Sequence, residues 1–439
     1  MSLIAAIARS RMLPFLVLIV AGLGFVALQA PQHQQLSPYD EYVYVDYLAK
    51  VPTEGFLRSG EETGNLARNE ISCRGVLGYG AFGQGCNVGS HADDAKYPYS
   101  GGSGASIYAP PYFAVTWALA QPLIWTGLSL VDAARLVGGA WLAGGLVLLY
   151  QLMRMLRVPR WVGVGLNLAV IGLPVTYWST TYISTDAPIL AASAAIGCLA
   201  VRVWNGKSAA WFVMVAALGA LTKIQIAGAV GIAALALILG AAGIAHAAPA
   251  HTRWRSFIRD RRSWLAAGAL VAAVAAEAAW LAFSSVERLK GAPAVQVDTT
   301  EQPLTISHLI NEAFQFLFAV GAPGTERTAM ALLTAEVLTV ASVVAVAAPF
   351  VIRRLNISGQ TRVIAVSILV GALALGPMLS LSTWAQVHYY VPLPNRYGLV
   401  LLPAFLLSIG LMQKDASRTR TGILLAAGAV SAAAAFFTP

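Results

Sequence analysis

The sequence has few charged residues, and this shortage limits the class of protein more than any other feature. Only 11% of the 439 residues are charged, against roughly 25% in an average soluble domain, while 57% are hydrophobic. The apolar residues form continuous runs and do not alternate with polar ones, which favours helices over a β-barrel as the structure that crosses the bilayer. The composition therefore predicts an all-α polytopic membrane protein.

Cysteine is also scarce, with three residues in the chain. Cys73 and Cys86 fall in a long polar stretch, and Cys198 lies inside an apolar run. If the polar stretch is extracytoplasmic, Cys73 and Cys86 can form a disulfide, and two free thiols are the alternative.

The formal net charge of +9 does not indicate a nucleic-acid-binding protein, because the basic residues stand in short clusters between apolar runs. Such clusters are typical of topology signals, since cytoplasmic loops carry an excess of Lys and Arg. A transporter would show internal repeats and interrupted helices near mid-membrane, and no convincing repeat is present.

Eleven apolar runs predict about eleven transmembrane helices in a single membrane domain over 1–439. They lie at 12–30, 131–152, 161–178, 186–203, 208–222, 224–245, 264–283, 328–350, 362–382, 397–412 and 421–437. The first run has the length of a retained helix, about 19 residues, and the alternative is a signal peptide with a poor cleavage site.

A twelfth run, 109–125, decides the topology. If it does not cross the membrane, the later basic clusters fall on the same side as Arg9 and Arg11, which the positive-inside rule requires. These clusters lie at 154–160, 202–207, 253–262, 353–354 and 414–420. We therefore predict that 109–125 is an interfacial helix and that the N-terminus is cytoplasmic.

This topology gives a large first extracytoplasmic loop over 31–130, followed by a helical module over 131–283. A second extracytoplasmic segment covers 284–327, and the C-terminal transmembrane helices cover 328–439. The Gly-, Ser- and aromatic-rich composition of the first loop favours an irregular, ordered lid, and a flexible linker is the alternative.

Ionisable side chains near a membrane often mark a function, and the topology collects a mixed set at the extracytoplasmic face. Acids that follow the first helix come together there with bases from later helix ends, which suits a reaction that needs a proton acceptor and an anion clamp. The set is Asp40, Glu41, Asp46, His91, Asp93, Asp94, Lys96, Asp186, Lys223, His388 and Arg396.

The order of five short motifs resembles the GT-C superfamily, polytopic glycosyltransferases that use polyprenyl-phosphate sugars and include protein O-mannosyltransferases and lipid A aminoarabinose transferases. No single motif is specific, and the resemblance rests on their order over 12–412. The motifs are "DE" at 40–41, "PPY" at 110–112, "STDAP" at 184–188, "LTK" at 221–223 and "NRYGLVLLP" at 395–403.

The resemblance implies that Asp40 is the general base of an inverting sugar transfer, with Glu41 beside it to orient the acceptor or Asp40. The alternative is that Asp40 only caps the following helix. It also implies that Arg396 and Lys223 bind the donor phosphate, the alternative being that both extend toward lipid headgroups.

The sugar or the acceptor is expected to contact Asp186, His388, Tyr389, Tyr390 and His91. Asp186 has an alternative role at a helix N-terminus, and the residues at 388–390 can belong to an interfacial aromatic belt. His91 with Asp93 and Asp94 lacks the spacing of a metal site.

The first loop has no DxD motif, so we expect no metal in the site and no certain cofactor, a divalent metal remaining a minor alternative. The expected partners are a polyprenyl-phosphate sugar donor, a glycan, glycolipid or protein acceptor, and the lipid bilayer, with no nucleic acid. The expected location is a bacterial inner membrane, with a role in cell-envelope glycan or glycolipid synthesis. The alternatives to a transferase are a lipid or glycan transporter or flippase, and a structural membrane protein.

Overall fold

A computed structural model describes residues 10–80, 82–207, 210–243, 257–290, 302–318, 328–351 and 358–437. This part of the chain is helical and contains isolated β-bridges but no strand, in agreement with the all-α prediction. The basic cluster at 353–354 lies outside the described residues, as do parts of the predicted cluster at 253–262 and of the segment 284–327.

The helices are numbered in chain order. They are α1 Leu13–Gln29, α2 Glu41–Glu54, α3 Asn65–Arg74, α4 Pro111–Ile124, α5 Leu130–Met155, α6 Arg160–Ile171, α7 Pro174–Thr180, α8 Ile189–Trp204, α9 Ala210–Thr222, α10 Ile226–Ala241, α11 Arg261–Val286, α12 Ile306–Phe318, α13 Ala329–Val351, α14 Gly359–Val387, α15 Leu402–Met412 and α16 Arg418–Phe437. A 3₁₀ helix, Asn395–Leu401, precedes α15.

Several of these helices are suited to a bilayer. By length and composition, seven described helices can cross a membrane, or eight if α6 and α7, bent by 68° at their junction, form one span. Helices α8, α9 and α10 are apolar but shorter. The structure thus supports a helical membrane protein, and the number of eleven spans stays a prediction.

One face of helix α1 packs against the bundle, and its retention in the mature protein stays a prediction. A Cβ on Gly22 would lie 2.9 Å from the backbone of Ala143, so α1 and α5 approach closely at this glycine. At the end of α1 the buried Gln29 side chain donates to the carbonyls of Ala435 and Phe436, at 3.0 and 3.1 Å. These bonds fix the point at which the chain leaves the bundle toward Asp40.

Residues 31–128 form a cap on one end of the bundle, which we call the lid, and we call that end the lid end. The lid is held internally by a disulfide between Cys73 and Cys86. The buried Arg68 guanidinium donates to the carbonyls of Thr63, His91 and Gly101, at 2.7 to 3.1 Å. These bonds favour an ordered lid over a flexible linker for the described residues of 31–128.

Helix α4 is the helix predicted within 109–125. Its 14 residues span only ~21 Å, less than the roughly 30 Å of the hydrocarbon core. It packs between the rest of the lid and the bundle, since Phe113 stacks on Tyr47 at 4.0 Å and Thr116 accepts a bond from the Trp141 indole. This length and packing favour the interpretation that it does not cross the membrane.

Helix α12 was not predicted, because the segment was assigned only as extracytoplasmic. It packs closely on α14 at Gly376, where an added Cβ would collide with the carbonyl of Glu312. Its residues Ile306, Ile310 and Phe314 form an exposed apolar stripe at helical spacing, while Glu312 is buried. The helix is thus amphipathic in an unusual orientation, because its apolar stripe is exposed and its acidic residue Glu312 faces the protein.

Candidate functional site

Four charged side chains from distant parts of the chain meet at the lid end. Arg396 donates through Nη2 to Asp40 Oδ2 at 2.9 Å, and its Nε lies 3.3 Å from Asp186 Oδ2. The Lys223 ammonium lies 2.6 Å from the other oxygen of Asp186. These contacts form a continuous chain from Asp40 through Arg396 and Asp186 to Lys223, which we call the charged cluster.

The backbone at Asp40 has a conformation that is costly for this residue. Asp40 occupies the N-cap position of α2 with φ of 64°, in the left-handed region, where a non-glycine residue costs about 1–3 kcal/mol. Its side chain makes no capping hydrogen bond and contacts Arg396 instead. This geometry argues against the alternative that Asp40 only caps α2.

The other three residues stand where regular helix is interrupted. Asp186 lies in the turn between α7 and α8, Lys223 lies between α9 and α10, and Arg396 lies in the 3₁₀ helix that leads into α15. Apolar runs place these breaks at the ends of successive helices, and the alternating chain direction brings them to one end of the bundle. The sequence therefore contained the signal for their convergence.

Burial distinguishes the two acids. The side chains of Asp186 and Lys223 are 5% and 1% exposed, whereas those of Arg396 and Asp40 are 16% and 28% exposed. A molecule that approaches the cluster therefore meets Asp40 and Arg396 first, and Asp186 lies behind them. Both oxygens of Asp186 contact cations, so Asp186 lies between the two bases, and its contact with the sugar or acceptor stays a prediction.

Tyrosines surround the two cations. The rings of Tyr108 and Tyr397 each lie 5.5 Å from the Lys223 ammonium, and the ring of Tyr39 lies 5.1 Å from the Arg396 guanidinium. Such cation–π contacts stabilise a positive charge where water is scarce. The cluster is thus enclosed by aromatic faces, which the sequence did not predict.

A hydrogen-bonded relay extends from Lys223 into the lid. Lys223 donates to Thr185 Oγ1 at 2.8 Å, Thr185 donates to the Tyr44 hydroxyl at 3.2 Å, and Tyr44 donates to the Tyr108 hydroxyl at 3.2 Å. Burial raises the pKa of both Tyr44 and Tyr108 well above the usual value, so both phenols are neutral. The relay therefore orients Lys223 without adding charge.

The cluster is electrically neutral, with two carboxylates and two cations, but its hydrogen bonding is incomplete. Arg396 Nε and Asp186 Oδ1 are buried and, within the described residues, have no hydrogen-bond partner. Their short distances to charged neighbours are ion-pair contacts that lack hydrogen-bond alignment. A buried donor without an aligned acceptor is uncommon.

A small pocket with room for about one water molecule adjoins the cluster. It is lined by Tyr39, Val175, Trp178, Ser179, Ser184, Asp186 and Arg396. A larger cavity of about 700 Å³ lies among the apolar side chains of α8, α10, α14 and α15. Among the residues that the structure describes, none that lines the larger cavity is charged, so the charged cluster and its small pocket are the candidate site.

Glu41 has a different environment from the one predicted. Its carboxylate accepts two bonds from Arg135 at 2.8 Å each and two from the backbone amides of Ser37 and Ile183 at 2.7 and 2.9 Å. The side chain is fully buried. With these four bonds Glu41 connects the lid to the bundle, and its predicted role in orienting the acceptor or Asp40 stays a prediction.

His91 is also structural. Its Nδ1 lies 2.7 Å from the Tyr97 hydroxyl, its carbonyl accepts a bond from Arg68, and the residue is buried within the lid. These contacts use His91 to hold the lid together and do not support the prediction that it contacts the sugar or acceptor.

The residues at 388–390 divide into two groups. His388 is exposed at the end of α14, with φ of 63°, and Tyr389 is half-buried. Tyr390 instead donates to Glu312 Oε1 at 2.6 Å and stacks on His308 at 3.9 Å. Tyr390 therefore anchors the chain before Arg396, and a contact of Tyr390 with the sugar stays a prediction.

The cluster does not fit a divalent metal. A cation placed between Asp40 and Asp186 would meet the positive charges of Arg396 and Lys223, which already neutralise both carboxylates. Among the described residues, no group of three or more metal-ligating side chains is present.

Comparisons with protein-family models, curated proteins and solved structures found no match to this chain.

Proposed function

We propose that this protein is an inverting glycosyltransferase that moves a sugar from a polyprenyl-phosphate donor to an acceptor hydroxyl at the extracytoplasmic face of the membrane. The observation that carries the proposal is the contact chain that joins a partly exposed carboxylate to two cations at the end of an apolar bundle. The lid end is then the extracytoplasmic end, and the resemblance of the ordered motifs to GT-C transferases supports the same assignment.

In the proposed reaction Asp40 acts as the general base. The acceptor hydroxyl gives its proton to the Asp40 carboxylate while its oxygen forms a bond to the anomeric carbon of the donor. The bond between that carbon and the phosphate oxygen breaks, and its electron pair stays on the phosphate. One displacement of this kind inverts the anomeric configuration.

The leaving group is a polyprenyl phosphate that gains negative charge as the bond breaks. Arg396 and Lys223 stabilise this charge, because cations fixed in a water-poor site act strongly on developing charge. In the resting cluster the same cations are paired with Asp40 and Asp186, so the phosphate must compete with a carboxylate. Asp186 stays behind both bases and keeps them oriented.

Substitution of Arg396 tests the phosphate clamp. Arg396→Gln is expected to weaken the binding of farnesyl phosphate, a short soluble analogue of the carrier, by about ten- to a hundredfold, because one charged hydrogen-bonding group is lost. Binding is measured with the purified full-length protein. Lys96→Ala is the matched control, since Lys96 is a lid cation paired with Asp93 and 54% exposed; equal affinity of the wild type and Arg396→Gln would contradict the clamp.

Lys223 requires a paired substitution. Lys223→Met alone would remove one of the two cations that contact the buried Asp186 carboxylate, and breaking a buried ion pair in this way destabilises the fold. We therefore combine Lys223→Met with Asp186→Asn, which removes both charges together. This pair is expected to stay folded and to lose farnesyl phosphate affinity, and unchanged affinity would remove Lys223 from the clamp.

A further inference from the structure

The chain immediately before Arg396 is held by a helix that the proposed mechanism does not use. Glu312 on α12 accepts two hydrogen bonds through Oε1, from the Tyr390 hydroxyl at 2.6 Å and from the Leu393 amide at 3.1 Å. Glu312 is 1% exposed. A buried carboxylate with these two partners fixes both ends of the segment between Tyr390 and Leu393.

A second side chain of α12 continues the contact toward the cluster. Gln315 lies three residues after Glu312, so it projects from the same face of the helix. Its amide donates to the Leu393 carbonyl at 2.8 Å and to Asn395 Oδ1 at 2.6 Å. Asn395 immediately precedes Arg396 in the sequence. The contacts of α12 therefore reach the residue next to Arg396.

The segment between these contacts is stiff. Pro392 and Pro394 flank Leu393, and the proline ring fixes φ near −65°. A displacement of Leu393 is therefore transmitted to Arg396 and not absorbed by the intervening backbone. Helix α12 itself is held against α14 at Gly376, where the Glu312 carbonyl lies too close to admit a side chain.

We propose that Glu312 is a positioning residue that sets the place of Arg396 in the charged cluster. It acts through the 390–395 segment and touches neither donor nor acceptor. This inference deepens the proposed function and rests on it in one respect, the assignment of Arg396 to the donor phosphate. The mechanical part, that Glu312 holds Arg396 against Asp40, can be measured without any ligand.

Hydrogen–deuterium exchange of the purified full-length protein tests the mechanical part. In Glu312→Ala, the amides of 390–397 are expected to exchange on the order of tenfold faster, because a net hydrogen bond is lost. The turn 37–44 around Asp40 should also exchange faster, since Arg396 no longer holds it. Arg396→Ala should affect the turn 37–44 and leave the Leu393 amide protected.

Two further variants distinguish the positioning of Arg396 from a general loss of structure. Glu312→Gln keeps an oxygen that accepts from Tyr390 and Leu393, so it should restore slow exchange in both regions. Gln386→Ala removes an exposed side chain that donates to the Ser382 carbonyl within α14, and it should leave both regions unchanged. Faster exchange in Glu312→Ala at 390–397 alone, with the turn 37–44 unaffected, would show a local structural role and overturn the proposal.

Binding of farnesyl phosphate then tests the link to function. Glu312→Ala should weaken binding in the same direction as Arg396→Ala, Glu312→Gln should bind as the wild type does, and the double variant should bind no more weakly than Arg396→Ala. Additive losses in the double variant would contradict positioning through Arg396. If the wild type does not bind farnesyl phosphate, the proposed function fails, and the exchange experiment still decides whether Glu312 holds Arg396.

Discussion

Asp40→Asn is expected to lower the rate of sugar transfer by about 10²- to 10⁴-fold, the usual contribution of a general base. Asparagine has nearly the shape of aspartate but does not accept a proton from the acceptor hydroxyl. The measurement is transfer from a polyprenyl-phosphate sugar by the purified protein, with the folded fraction checked by size-exclusion chromatography. Asp93→Asn is the matched control, because Asp93 is a lid aspartate paired with Lys96 and outside the cluster.

A second effect is expected of Asp40→Asn, and a misfolded protein would not show it. In the proposed site Asp40 competes with the donor phosphate for Arg396, with which it forms a hydrogen bond of 2.9 Å. Removal of its charge is therefore expected to leave farnesyl phosphate binding unchanged or to strengthen it. Normal turnover in Asp40→Asn would remove Asp40 from the role of base, and loss of both turnover and binding would assign it a structural role instead.

Glu41→Ala is expected to destabilise the protein rather than to change the chemistry alone. It leaves the Arg135 guanidinium, which is 1% exposed, without its carboxylate, and breaking a buried ion pair in this way costs about 3–5 kcal/mol. The unfolding temperature of the purified protein should fall clearly. Glu70→Ala is the control, since Glu70 pairs with Arg74 at a partly exposed position and should cost about 1 kcal/mol or less.

A paired substitution checks the reason for this loss. Glu41→Met combined with Arg135→Met removes both buried charges and should recover much of the stability lost in Glu41→Ala. If Glu41→Ala instead keeps the stability of the wild type and loses transfer, Glu41 takes part in the reaction, as the order of the "DE" pair first implied.

The sequence predicted that the four residues of the charged cluster lie at one end of the bundle, because this follows from the order and direction of the helices along the chain. Continuous apolar runs predict helices, and clusters of Arg and Lys predict which ends lie together. Asp40, Asp186, Lys223 and Arg396 each stand at such an end, so their shared location followed from sidedness. Their pairwise contacts did not, because the rotation of each helix about its axis is set by packing.

The roles of individual acids were harder to predict for a related reason. Glu41 and Arg135 are separated by 94 positions, and Arg135 lies inside a run read as apolar, so nothing local indicated their ion pair. Glu312 lies in a short amphipathic helix that hydropathy does not distinguish from a loop. Asp186 and Asp40 have similar settings in the sequence, and only their burial in the folded protein separates a carboxylate that holds the bases from one that an acceptor can reach.

The most direct test of the central claim is the turnover of polyprenyl-phosphate sugars by the purified protein. A panel of mannosyl and arabinofuranosyl donors on short prenyl phosphates would be offered with glycan, glycolipid and peptide acceptors. We expect at least one donor to be consumed, with release of the prenyl phosphate and a product of inverted anomeric configuration, and no reaction in Asp40→Asn. A product of retained configuration, or transfer that persists in both Asp40→Asn and Arg396→Gln, would contradict the account.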